Sequence, residues 1–522
     1  MKLGEKTIRK SIVIILSVVI LTGFYYWYHL RVTLSSDSTT MIPVAMDLLQ
    51  GNLLLRGWIF GTNNFLFSET IFYLPGLLVG MKIWQLLYII PALTFSALLV
   101  INIFTFLFYG KPQISERRKL FAAVSYVLLV GAISYHTAYT LLNANSHNGL
   151  YVFIGMEIWL IFRYLDTKKY RYVVLYIMIG ALMQFSDGVF LMAMIAPAAG
   201  MCLYFGLQAW LAREKEALIQ YVIIFGGTCA TYVLAKAISL FFQSMGGMET
   251  RGLPIQIVTP GVAVRRLFQY KDEALLLWGY KADTQGSMVA QIYNLLIVLF
   301  FVMTVFAFFF HVSYIVKRKI SRERMILWLM MLFNVGGCLF TDTAIFHRYL
   351  VPTYIYGTML LILTVMDILN VCSTRIRRGL ALIGMVSCIG ISSYRVGEVV
   401  QIGDVMKYQK QVAAYLTEHE MGNGYGDFFS ASLIASFTEF KNNIYPISVS
   451  GGKIHPYVEL IKKDWYGRND IHYIIVNVED QNNIFCKKRD AVAMLGEPDE
   501  AIVIGVYEIL YWHTDISKYL EK

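Results

Sequence analysis

Charge is what this sequence of 522 residues has least of: Asp, Glu, Lys and Arg together make up 15%, where a soluble domain carries about 25%. That shortage excludes an ordinary soluble enzyme, a disordered chain and a nucleic-acid binder, all of which need charged surface. Cysteine is scarce as well. Of the six, Cys202, Cys229, Cys338, Cys372 and Cys388 lie in or beside apolar segments, and Cys486 stands alone in the C-terminal region, where it has no partner for a disulfide. No Cys-x-x-Cys and no Cys/His pair at zinc spacing occurs. No repeat of fixed period and no inverted pair of halves stands out. Apolar residues are abundant instead, at 57%, with a mean hydropathy of +0.55. This is the make-up of a polytopic α-helical membrane protein.

The charge that exists is unevenly placed. Residues 398–522 hold 12 basic and 18 acidic residues, whereas residues 1–397 hold 33 and 17. The change marks a domain boundary near 397, with a transmembrane domain before it and a small soluble α/β domain over 398–522. Apolar stretches able to span about 30 Å of hydrocarbon run at 11–29, 86–109, 120–140, 149–165, 172–185, 189–211, 218–243, 288–315, 325–340, 350–371 and 379–396. They predict about eleven membrane helices, 11 to 13 depending on how segments are divided. The first follows Lys2, Lys6, Arg9 and Lys10 with no small-residue cleavage site, which reads as a retained anchor. With the N-terminus inside, the basic runs 111–119, 168–171, 213–215, 317–324 and 375–378 all fall on the inner side, while the turns 141–148 and 186–188 hold no Lys or Arg. That alternation predicts a multi-pass plasma-membrane protein with a cytoplasmic N-terminus and an extracytoplasmic tail. The further apolar segment 65–81 would invert the order if it crossed. It reads as an interfacial or re-entrant helix broken at Leu74-Pro75-Gly76.

Three long elements then lie outside: a first loop over about 30–85, a loop over about 245–287, and the tail. A loop as long as the first is usually functional. Within it Ser36-Asp37-Ser38 opens an amphipathic helix that Gly51-Asn52 stops. Asp37 has two readings: a helix N-cap, favoured by the dipole, or a general base at the membrane surface. Arg56, Arg251, Arg265, Arg266, Lys271 and Arg348 place positive charge on the side where it is scarce, either as solvated loop residues or as a grip on a substrate phosphate. His347-Arg348 stands at the outer mouth of a helix with Pro352 just inside its start. Asp187 in the turn 186–188, and Asn143, Asn145 and His147 in the turn 141–148, add polar groups suited to a sugar. His136 and Glu157 lie deeper, as site candidates or interhelical hydrogen-bond partners. In the tail, 472–478 reads as a strand, 487–496 as a helix and 501–510 as a strand or hairpin. The run Gly422-Asn-Gly-Tyr-Gly-Asp427 lacks a strand-then-helix pattern around it and gives a phosphate cradle little support.

A basic N-terminus, one helix, and an outer loop whose acidic residue leads into Ile42-Pro-Val-Ala-Met-Asp-Leu-Leu-Gln-Gly-Asn52 resemble the C-type (GT-C) membrane glycosyltransferases. That group includes the protein mannosyltransferases and the lipid A aminoarabinose transferase. The stretch 65–81, the turn Ser186-Asp187, the run Arg348-Tyr349-Leu350-Val351-Pro352 and an extracytoplasmic tail are each similar to elements of that family. Two features differ: serines flank Asp37 where many members carry a second acid, and Phe67-Ser68-Glu69-Thr70 stands where aminoarabinose transferases have Lys-Pro-Pro. The resemblance implies a GT-C-like fold and inverting transfer of a sugar from a polyprenyl-phosphate donor to a glycan, lipid or protein acceptor at the outer face. It implies Asp37 as the catalytic residue, Arg348, Arg265, Arg266 and Arg56 on the donor phosphate, and Asp187, His347, Glu69, Asn145 and His147 around the substrate. It calls for no cofactor and no metal, although Glu69 or Asp187 near Asp37 would suit a metal-dependent relative. Membrane lipids are the remaining expected partners. A transporter or flippase of lipid-linked sugars and a non-catalytic membrane assembly protein are the competing readings.

Overall fold

The computed structural model describes residues 2–34, 36–109, 115–143, 147–252, 255–284, 286–450, 452–479 and 486–521. Most of the chain is helical, as an apolar chain in lipid must be, because only a helix satisfies its own backbone there. Among the described residues eight helices are long and apolar enough to cross a membrane: Ile12–His29, Ile83–Tyr109, Leu191–Leu211, Lys215–Ser244, Met288–Val316, Arg322–Phe340, His347–Val371 and Thr374–Val400. A ninth candidate is broken, Glu116–Gly131 turning by 95° into Tyr135–Leu141. Two of the eleven expected spans fall below that measure. Asn148–Thr167 carries Glu157, Arg163 and Asp166, and Arg171–Ser186 has only 16 residues. His347–Val371, with 72% of its span buried, forms the centre of the bundle, and Ile12–His29, with 17%, its rim.

Polar contacts sort the helix ends onto two faces. On one, Arg322 pairs with Asp166 at 2.7 Å, Arg324 with Asp367 at 2.7 Å, and Lys168 with Glu216. On the other lie the first loop, residues 142–143 and 147–148, the turn at 186–188, and the tail. The helix Asn148–Thr167 therefore runs from face to face despite its charges.

The break at 131–135 has its own cap. A π-helical turn, Val127–Gly131, frees the carbonyls of Leu129 and Ala132. Arg395, fully buried, donates to both at 2.8 and 2.9 Å, and to the Trp278 carbonyl. Its Nε donates to the Tyr293 hydroxyl at 3.2 Å.

The first loop departs from expectation in two places. Residues 65–81 form no single helix; a 3-10 turn Thr70–Phe72 is followed by a short helix Leu74–Leu78, and Pro75 lies in the first turn of that helix. Proline there starts a helix instead of breaking one, since the missing N–H has no partner to lose. The amphipathic segment is two pieces, Ser36–Thr39 and Met41–Leu49, and Gly51 ends the second with φ +96°, a left-handed conformation cheap only for glycine. Met41, Ile42, Val44 and Ala45 are fully buried, so this segment is covered by protein and does not lie open on a surface.

The last bundle helix continues to Val400, three residues past the boundary set by composition. The tail then builds a six-stranded sheet in the order β5-β4-β3-β7-β9-β8, from β3 (Asn423–Gly426), β4 (Ile444–Ser450), β5 (Lys453–Pro456), β7 (Ile471–Asn477), β8 (Glu500–Ile504) and β9 (Tyr507–Tyr511). β3 runs parallel to both β4 and β7, and the other pairs are antiparallel. The glycine-rich run 422–427 is itself the strand β3 and leads through Asp427 into a helix, Phe428–Phe437, a strand-then-helix pattern that the sequence reading did not find. The cradle is nonetheless filled from within: Asp427 accepts from the amides of Phe429 and Ser430 at 2.9 and 3.2 Å.

A second, small sheet ties the three long loops together. β1 (Trp58–Phe60) of the first loop pairs with β2 (Glu249–Thr250) on one edge and with β6 (Ile461–Lys462) of the tail on the other. Asp47 fixes this junction, accepting from Trp58 Nε1 at 2.8 Å and pairing with Lys462 at 3.0 Å. Glu439 of the tail accepts the Ile83 amide at 2.8 Å, at the start of a bundle helix.

Candidate functional site

Asp37 lies in the first turn of Ser36–Thr39, just after the first bundle helix, and the tail helix Phe428–Phe437 packs against it. The carboxyl is half-buried. Its pKa is raised, chiefly by that burial; the Arg348 guanidinium pulls it back and the charge of Glu459 pushes it further up. Three segments far apart in the chain thus meet electrostatically at one point. Tyr457 joins them: its ring stacks on Phe428 at 4.1 Å, and burial, then Glu459 and Asp37, push its hydroxyl up to about 12. Glu459 reaches across to the first loop, where a Cβ at Gly61 would lie 2.5 Å from its Oε2, so a side chain there would push the carboxylate aside.

Arg348 is held by aromatic groups. Its guanidinium carbon lies 5.1 Å from the centre of the Tyr349 ring and 5.9 Å from that of Phe346, and Nη2 donates to the Tyr349 hydroxyl at 3.3 Å. Its buried Nε has no hydrogen-bond partner, and no carboxylate lies within ion-pair distance among the described residues. An oriented guanidinium without a bound carboxylate suits an anionic ligand.

Beneath this open pair lies a closed layer. Tyr349 packs on His147 with ring centres 6.3 Å apart, and His147 Nδ1 meets Asp187 Oδ2 at 2.5 Å, both side chains at most 2% exposed. Asp187 also accepts the Val189 amide, and Glu69 accepts the Gly149 amide at 3.1 Å. The strip 63–67 is strapped over 185–188 by the Asn64 and Phe65 amides on the Ser186 carbonyl, both 3.1 Å, and by the Phe67 amide on Ser186 Oγ. Ser38 donates to Asn143 at 2.8 Å, joining the segment of Asp37 to the turn after Tyr135–Leu141. Asp187, His147 and Glu69 therefore fix the loops that carry the open site.

Glu69 is fully enclosed, and its pKa is pushed up to about 8, first by burial and then by Asp187, against the Gly149 amide. A carboxyl raised this far above its unfolded value near 4.3 favours the folded state while protonated. That contribution is full below about 4.3, is lost as pH rises from there through about 8, and does not change beyond. Glu69→Gln keeps the acceptor for Gly149. We expect thermal unfolding below about pH 4 to match the wild type, and the variant to be the more stable protein at pH 9.

The other expected site residues lie elsewhere. His347 turns to Glu273, 3.4 Å from its Nδ1, and packs on His136. Arg266 donates from Nε to the carbonyl of Cys338 at 3.0 Å and from Nη2 to that of Thr343, closing the end of Arg322–Phe340. Arg265 is exposed on Pro260–Leu277. Arg56 is exposed, 3.4 Å from the Met245 carbonyl. Asn145 lies outside the described residues. Glu157 is enclosed mid-helix against Gly180 and Thr231. Sequence reasoning missed Tyr457 and Glu459, whose place depends on how the tail docks.

The chain matches no protein-family model and no curated protein. Its chemistry rests on this geometry. Among the described residues no three His, Cys, Asp or Glu side chains gather as a metal site.

Proposed function

We propose that this chain is a GT-C-like membrane glycosyltransferase that moves a sugar from a polyprenyl-phosphate donor to an acceptor at the outer face of the cell membrane. One observation carries the reading: a desolvated carboxyl, Asp37, shares its electrostatic field with Arg348, a guanidinium with no carboxylate at ion-pair distance among the described residues, at one end of an apolar bundle. The acceptor O–H attacks the anomeric carbon from the side opposite the carrier, and its proton passes to Asp37. The bond from that carbon to the phosphate oxygen breaks, its electron pair leaves with the phosphate, and the configuration inverts. Arg348 meets the charge that grows on that oxygen. His147, Asp187 and Glu69 position the loops. Described residues of the basic runs, Lys168, Arg322 and Arg324 among them, pair on the opposite face, which by the positive-inside rule supports an extracytoplasmic site face. Counting Asn148–Thr167, Arg171–Ser186 and the broken pair, eleven segments cross, and β1 pairing with β2 and β6 agrees with an even number of crossings between each of those loops.

Arg348 tests the phosphate half of the mechanism. Replacing it by Ala removes charge and fork; replacing it by Lys keeps the charge alone. We expect Arg348→Ala to lose about 1–3 kcal/mol of donor interaction, the usual value of a charged hydrogen bond, with Arg348→Lys in between. Donor binding and transfer rates of the purified variants check this. Wild-type kinetics in Arg348→Ala would remove the residue from the site.

A further inference from the structure

A second pocket, apart from Asp37, lies where the first loop meets the tail. Its volume is about 190 Å³, and its walls include Trp58, Trp465, Tyr445, Asn443, Lys462 and Arg468. The rings form a continuous aromatic wall: Trp58 and Trp465 are 5.3 Å apart edge to face, and Trp465 and Tyr445 are 5.8 Å apart. Polar groups stand beside that wall. Lys462 is already paired, with Asp47 at 3.0 Å and Asp464 at 3.2 Å, so the pocket is not a bare cationic trap. Arg468 is exposed and has no ion-pair partner among the described residues. Tyr445 is 2% exposed, and its hydroxyl has no hydrogen-bond partner among the described residues. A buried hydroxyl without a partner costs stability, and such a group in a native fold marks a place where something else completes the bond.

We infer that this pocket binds a saccharide. A sugar ring has an apolar C–H face that packs on flat aromatic side chains and a hydroxyl edge that needs donors and acceptors side by side. Aromatic lining with a few placed polar groups is the general form of such a site. Met46 lines the pocket and lies nine residues from Asp37 along two almost continuous helical pieces, about 14 Å at 1.5 Å per residue. A chain of a few sugars held here spans that distance. On the transferase reading, the pocket holds the acceptor glycan while its end reaches Asp37; saccharide binding itself does not depend on that reading.

The test uses the full-length protein in detergent, probed on an array of neutral and acidic oligosaccharides. Wild type should bind a subset. Tyr445→Phe should weaken that binding about fivefold to tenfold, the effect of one hydrogen bond, and Trp465→Ala should abolish it. Lys215→Ala, exposed at the opposite face of the bundle, should bind as wild type does, and binding is read with no donor present, which separates this pocket from the transfer step. Tyr445→Phe guards against a folding artefact, because removing an unpartnered hydroxyl leaves stability equal or higher. If no saccharide on the array binds, or if binding is unchanged in both Tyr445→Phe and Trp465→Ala, the inference is wrong.

Discussion

Asp37→Asn is expected to fold as wild type does and to lose transfer by roughly 10²–10⁴-fold, or about 3–5 kcal/mol, the usual cost of removing a general base. The substitution keeps size and leaves Ser36–Thr39 intact, because the packing of that turn comes from Ser36, Ser38 and Thr39, all buried. Donor binding should persist, since a carboxylate repels a phosphate. The pH profile carries a second signature. Burial raises the Asp37 pKa, so the acid limb of kcat/KM should lie above the ordinary carboxylate range near 4, with activity rising as pH rises through it. Glu459 adds to that rise and Arg348 opposes it. Glu459→Gln should therefore move the acid limb to lower pH, and Arg348→Ala should move it higher. An Asp37→Asn protein that is unstable would make the residue structural; one that is fully active would end the mechanism.

Arg395→Met should cost on the order of 3–5 kcal/mol of stability, because it leaves the carbonyls of Ala132 and Trp278 dry inside the bundle and the Leu129 carbonyl with the Tyr354 hydroxyl alone. Met fills most of the volume, so the loss reports the hydrogen bonds more than a cavity. Arg395→Lys should lose less, with one ammonium in reach of only part of the set. Thermal unfolding in detergent reads both. A Met variant as stable as wild type would show that the broken pair 116–141 holds its bend without this cap.

These two residues show what was legible in the sequence. Asp37 stood out because a carboxylate directly after an anchor helix breaks a local pattern of apolar and small residues. Arg395 did not, because it sits in a stretch whose average is apolar, and its purpose depends on a kink some 260 residues away. The apolar runs gave the bundle helices to within a few residues, since the membrane imposes length and hydrophobicity on each one separately. The strand at 471–477, the helix at 488–495 and the closing hairpin of the tail were readable for a similar reason: each carries its own periodicity. Glu459 and Tyr457 were not, because they arrive through β1 and β6, strands of three and two residues that leave no pattern. Arg266 drew notice as outer positive charge, but its hydrogen bonds to the carbonyls of Cys338 and Thr343 at a helix end leave no local pattern. Chemistry assembled across distant segments is invisible to any local rule.

The central claim is that the site breaks the bond between sugar and carrier phosphate, and the fate of the donor tests it most directly. Purified protein in proteoliposomes, given a polyprenyl-phosphate donor labelled in the sugar and a total membrane extract as acceptor source, should release free carrier phosphate in step with labelled acceptor. Asp37→Asn should leave the donor intact. A donor that crosses between leaflets unbroken, equally with wild type and variant, would contradict the account and mark the protein as a carrier of lipid-linked sugars.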